Sequence, residues 1–435
     1  MSRFVTRGRA APILLRAILL FFTGAATPGV AQERTPPAAK VVPKPDTTLG
    51  DVRVDDYYWI RDDARKNPDV LAYLEAENAY TAAVMRHTEE LQKTLYDEML
   101  GRIKETDLSV PERVGRYFYY TRTEKGKQYP IHARKLGSLA AAEEVMLDEN
   151  VLAAGKGYFR VGVTRVSPND SLLAFTIDTT GGERHLLVVR DLATGRMLPD
   201  SIANVNYSVE WGKDNETLFY GMGDEANRAY KIFRHSLGRS GRDSLIFHEP
   251  NELFDVSLST TRSRDYLLMS IGSFTSSEVH YLRADRPMGR FAVVRPRVPD
   301  VLYEVDHHGD QFLILTNEGA TNFKLMKAPV SSPGRSSWRD LVPHRDSVLL
   351  DAIDVFRDYL VLYERRNALR QIRVMPFAGG ESYYVDFPEL VYTVRGSRNP
   401  DYDTKILRFN YTSMITPNSV YDFDMARRSR ELKKR

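Results

Sequence analysis

From Pro68 to Ile103 the apolar positions follow a helical period. Val70, Leu71, Leu74, Val84 and Met85 fall near one face together with Asn78, and Leu91, Leu95, Met99 and Ile103 continue the stripe at every fourth residue. Asn67 ahead of Pro68 is a helix start: asparagine can cap the free amides, and proline lacks only an N–H that the first turn leaves unused. One or two helices are predicted over 68–102, broken near His87-Thr88. From Val110 onward the helical period stops, and short β-like runs replace it, such as Tyr117–Arg122 (YFYYTR) and Leu186–Leu192 (LLVVRDL).

Seven apolar runs follow a tight polar turn. The turns are Gly115-Arg116, Asn169-Asp170, Asp214-Asn215, Arg264-Asp265, Gly309-Asp310, Arg357-Asp358 and Pro417-Asn418, spaced 45 to 60 residues apart. A strand–turn–strand unit recurring every 40 to 50 residues or so marks a β-propeller, whose blades are four-stranded sheets around a central channel. The prediction is a mainly β protein, a seven-bladed β-propeller preceded by a short helical N-terminal segment. An array of β-sandwiches has no reason to keep such spacing over roughly 300 residues. Leu407, Phe409, Tyr411 and Met414, then Val420, Tyr421 and Phe423, make a final strand pair, after which the chain turns rich in Arg and Lys.

Composition narrows this picture. The 435 residues are 42% hydrophobic and 11% aromatic, with 24 Tyr and 19 Phe, ample for a large β core. Sixty-one basic side chains against 58 acidic ones leave a charge of +3, which gives no reason to expect nucleic acid. The absence of cysteine excludes disulfides, thiolate catalysis and Cys-ligated metal. Residues 1–31 have the form of a signal peptide: Arg3, Arg7 and Arg9, an apolar core over Ala17–Phe22 interrupted upstream by Arg16, and small residues at Gly29-Val30-Ala31. The apolar run is too short to span a bilayer. An exported, periplasmic or secreted protein is expected. The expected domains are the signal peptide, a linker and helical segment over 32–109, the propeller over 110–425, and a basic tail over 426–435.

Candidate chemistry is sparse. The G-x-S-x-G elbow of α/β-hydrolases does not occur; Gly238-Arg239-Ser240-Gly241 comes nearest and lacks the second spacing. There is no H-E-x-x-H and no Gly-rich phosphate loop. Asn169, Asn206, Asn215 and Asn410 head glycosylation triplets, which turn chemistry explains as well. Asp46, Asp51, Asp55, Asp56, Asp62 and Asp63 could hold a cation, but a solvated loop is the simpler reading. No cofactor and no metal is expected.

Three stretches carry a resemblance. DDYYWIRDD with NPDVLAYLEAENAY, then GRIKETDLSVPERVGRYFYYTRTEKGKQYPIHARK, then LRFNYTSMITPNSVYDFDM resemble the N-terminal segment, the propeller entry and the propeller exit of the prolyl oligopeptidase family, and most of all its oligopeptidase B branch. The resemblance runs from about Lys40 to the end. It implies a seven-bladed propeller capping an α/β-hydrolase domain, and a serine peptidase that cuts short peptides after Lys or Arg with a Ser-Asp-His triad. None of those catalytic residues can be placed here, because the α/β-hydrolase domain of the family is expected to be absent from this chain. The implied partners are that hydrolase domain, missing or separately encoded, and through it short basic peptides, with no nucleic acid and no transmembrane segment. Trp59, Arg61, Asp62, Asp63 and Glu124 are the candidate interdomain contacts. The ring is expected to close by apolar packing between its first and last blades. The alternative is a stand-alone propeller that binds a peptide or protein.

Overall fold

The computed structural model describes residues 35–435 apart from Ser240. The expected signal peptide lies outside the described residues. The chain divides into two compact units at Ile103 and Lys104.

The first unit opens with an antiparallel hairpin, Lys44–Thr48 against Asp51–Asp55. A helical stretch follows, Pro68–Met85 and Glu89–Arg102, joined through a single 3-10 turn at Arg86–Thr88. The Asn67 side chain accepts from the Asp69 amide at 3.0 Å, with Pro68 in the first turn. Leu91, Leu95, Met99 and Ile103 are all exposed. Among the described residues, no helix is long and apolar enough to cross a membrane.

The second unit is a β-propeller of six sheets in chain order. The first contains Asp107–Leu108, Glu112–Val114, Tyr117–Thr123, Ile131–Leu136 and Glu143–Asp148. The second runs from Arg160–Val166 to Ser244–His248 and has seven strands. The third to sixth have four strands each and begin at Asp255, Tyr303, Val348 and Tyr392. Seven separate blades were expected. Five sheets have the size of one blade, and the correction lies in the second sheet. There the strand Met197–Trp211 runs unbroken for 15 residues. Its first half pairs with His185–Asp191 and its second half with Thr217–Gly223. The turns at Asn169 and Asp214 therefore belong to one continuous sheet. Pro417-Asn418 is also out of step, since it joins the second and third strands of the sixth sheet rather than the first and second. The stretch read as a charged tail forms that sheet's outer strand, Ser429–Lys434.

Second strands are buried almost continuously: Leu173–Thr176, Leu267–Met269, Phe312–Thr316 and Leu360–Glu364. A strand covered on both faces needs no polar alternation. Each successive junction holds a buried apolar cluster, for example Phe312 and Trp338 against Leu268, and Leu407 and Phe409 against Val361. The junction of the sixth sheet with the first departs from this. In Ile406–Ser413 burial alternates, so Leu407, Phe409 and Tyr411 face the fifth sheet while Arg408 is turned the other way. Arg408 Nη1 donates to the Pro111 and Val110 carbonyls at 2.8 and 3.3 Å. Lys434 Nζ donates to the Leu108 carbonyl at 2.7 Å and pairs with Asp107, and Arg398 lies 3.7 Å from Glu112. Charged side chains, not the expected apolar contact, join the two ends of the ring. No strand is shared between them.

Candidate functional site

The antiparallel order gives the propeller two unlike ends. At one end lie the turns that follow each first strand. They are stitched to one another in sequence: Arg116 to Asp170 at 3.5 Å, the Asn169 amide to Asn215 at 2.8 Å, Lys213 to Asp265 at 2.7 Å, Ser263 to His307 at 2.8 Å, and His308 to the Arg357 carbonyl at 2.9 Å. Left-handed backbone at Gly115, Asp170, Asn215, Arg264 and Gly309 closes these turns. The polar turn residues of the repeat thus have a second role, as contacts between neighbouring repeats.

Charge gathers just before these turns. Glu112, Arg165, Glu210, Asp306 and Asp354 stand three or four residues ahead of their turn, at the ends of first strands. Arg165 pairs with Glu210 at 3.1 Å, and Arg262 pairs with Asp354. Burial pushes the carboxyls of Glu210, Asp306 and Asp354 upward, Asp306 to about 6, with arginine opposing in each case. Sequence reasoning missed these residues. A signal existed: a charge recurs three or four residues ahead of these turns.

At the other end lie the loops that enter each first strand and those that join second to third strands. Phe274, Leu390, Met414 and Ile415 stand there almost fully exposed, with Leu253 and Val391 also uncovered. Met414 and Ile415 are adjacent in the chain, as are Leu390 and Val391, so the sixth sheet contributes most of this exposed apolar surface.

The residues singled out beforehand have local partners. Trp59 Nε1 donates to the Lys40 carbonyl at 2.8 Å, and its ring meets Tyr73 edge-on at 5.8 Å. Arg61 pairs with Asp63 at 3.1 Å on the surface. Asp62 accepts from the amides of Asn67 and Lys66, and the first of these bonds holds its carboxyl below the usual range. Those four belong to the first unit. Glu124 is in the second unit, in the loop after Tyr117–Thr123 at the apolar end, where it pairs with Arg122. Among the described residues, no group of three His, Cys, Asp or Glu side chains is placed to hold a metal.

The second unit is thus a β-propeller with one stitched, charged end and one end that carries exposed apolar side chains. Residues 36–435 match the model of the prolyl oligopeptidase N-terminal β-propeller domain. The chain belongs to that family. Dipeptidyl aminopeptidase BI of Pseudoxanthomonas mexicana is 40% identical over 95% of this chain and 59% of its own length. Protease 2 of Moraxella lacunata is 36% identical over 89% of this chain and 57% of its own. Among solved structures, oligopeptidase B from Leishmania major superposes with a TM-score of 0.85 at 32% identity, covering 92% of this chain and 60% of that one. The chain spans somewhat over half the length of these relatives.

Proposed function

We propose that this chain is the substrate-gating propeller part of an oligopeptidase-B-like serine peptidase. In that enzyme an α/β-hydrolase domain carries the triad and cuts short peptides after Lys or Arg. The observation that carries the reading is the uncovered apolar end with Phe274, Leu390, Met414 and Ile415. Apolar surface gains about 25 cal/mol per Å² on burial, so this end favours a partner with an apolar face. The 435 residues alone are expected to be inactive, because they contain no G-x-S-x-G. Export, from the pattern of residues 1–31, is part of the same proposal.

Two measurements test this. The purified chain is incubated with an Arg-ending chromogenic amide, a dipeptidyl amide and a fluorophosphonate. No turnover and no label are expected, and turnover abolished by the probe with the label on this chain overturns inactivity. The hydrolase half of the Moraxella lacunata protease 2 is then added. Binding is expected, and Phe274→Asp with Met414→Asp should abolish it. Binding that ignores both substitutions overturns docking through this end.

A further inference from the structure

Arg262 follows strand Asp255–Thr260 in the third sheet, yet it touches the three sheets after it. Its amide donates to Asp306 Oδ1 in the fourth at 3.1 Å. Its guanidinium donates to Asp354 in the fifth and to the Asn399 carbonyl in the sixth. One residue can reach three successive sheets of a propeller, by its amide and its side chain together, only near the middle of the ring where the sheets converge. The site around it is built. The guanidinium lies 5.0 Å from the centre of the Phe356 ring. The Tyr363 hydroxyl donates to Asp354 at 2.8 Å, in space that a side chain at Gly396 would fill, and Asn399 Nδ2 donates to the same carboxylate at 3.2 Å.

The charges do not balance. Asp306 is faced by Arg262 from the third sheet, His307 on its own strand, Asp354 from the fifth and Tyr402 from the sixth, while Tyr363 and Asn399 bond to Asp354. Burial lowers the basicity of His307 and weakens the acidity of Tyr363. Two carboxylates therefore share one guanidinium. We propose that Arg262 is a latch that closes the charged end of the ring across its axis, and that the uncompensated charge of Asp306 beside Asp354 weakens it. The latch depends on the geometry of the propeller alone and stands apart from the peptidase reading.

The sign follows from linkage. Burial raises Asp306 from 3.8 to about 6, so the closed latch holds a proton that an opened, hydrated carboxyl would give up. Closure is then favoured most below about pH 4 and weakens as pH rises from about 4 to about 6, as the open carboxyl and then the closed one lose their protons. A shift of that size bounds the change in the closed-to-open ratio at about a hundredfold.

Hydrogen exchange on this chain at pH 5 and pH 8, corrected for the intrinsic rates, is the test. Segments 261–266, 353–358 and 397–408 should lose protection at pH 8 relative to pH 5 by about tenfold, the part of that bound that falls between the two pH values. Asp306→Asn should remove the difference and raise the melting temperature more at pH 8 than at pH 5. Arg262→Ala should release all three segments at both pH values while 311–316 stays protected. If that variant fails to fold, Arg262→Lys, which keeps the charge and loses the fork, should release 397–408 first. Protection independent of pH in the unsubstituted chain, an equal loss of stability at both pH values in Asp306→Asn, or unchanged exchange in the Arg262 variants overturns the latch.

Discussion

Glu364 shows how far a single residue's role can depart from its sequence context. In YLVLYERR it stands where an apolar strand turns polar, yet its side chain is fully buried. It accepts from the Tyr384 hydroxyl at 2.7 Å, pairs with Arg345, and lies 3.5 Å from Arg373. Arg345 comes from the loop before Val348 and Arg373 from the neighbouring strand, so their convergence is invisible to local pattern. Glu364→Leu strands two guanidinium groups that reach water only in part. We expect a loss of about 3 kcal/mol in urea unfolding. The exposed pair Arg283–Asp285 is the comparison, and Arg283→Ala should cost clearly less than Glu364→Leu, because water screens the pair. Equal costs would show that Glu364 is no anchor.

At the scale of the element, the strand Met197–Trp211 sets the sheet count. Its register shifts between Val205 and Val209, where Asn206 Oδ1 accepts from the Ser208 amide at 2.8 Å. Asn206 lies against Gly221 of the neighbouring strand. A Cβ there would meet the amide oxygen at 2.5 Å and its nitrogen at 2.9 Å. Gly221→Ala should therefore push Asn206 off the bulge and cost about 1 to 3 kcal/mol, read as a lower melting temperature. An unchanged melting temperature would mean that the two strands are not held together there. The helical stretch gives a second prediction. Its stripe of Leu91, Leu95, Met99 and Ile103 is exposed, as a face awaiting a partner would be. Leu95→Glu should reduce hydrophobic-dye binding and self-association while stability changes by less than about 0.5 kcal/mol. Dye binding that persists would place the sticky surface elsewhere.

For the whole propeller, the weak point is the polar junction between the sixth sheet and the first. Arg408 is mostly buried and serves two carbonyls of the first sheet as well as Asp422, whereas Lys434 is partly exposed. Arg408→Ala should cost about 1.5 to 3 kcal/mol and speed exchange over 107–123 and 406–434, and Lys434→Ala should do less. Salt at about 1 M should act in the same direction on the exposed pairs. The Lys434 ammonium holds the Asp107 carboxyl down, to about 2. A depressed acid stabilises the fold above its ordinary value of 3.8, so this contact is lost only as pH falls from about 4 towards 2. Exchange that begins instead in the strands 311–316 or 359–366 would refute this order.

What the sequence determined by itself was periodic. The repeated turns, the buried second strands and the helical stripe depend on neighbours in the chain, so their spacing shows them. The alternation in Leu407-Arg408-Phe409 even carried the polar closure, in plain view but unread. The tertiary structure alone decided what depends on distant partners. Whether two repeats share one sheet turns on the continuity of hydrogen bonding through Met197–Trp211, which no turn residue announces. Arg262 meets Asn399 only because the chain travels round the ring and returns. Pattern records which faces are apolar; only closure of the ring decides which charges meet, because their attraction acts over a few ångströms and not along the chain.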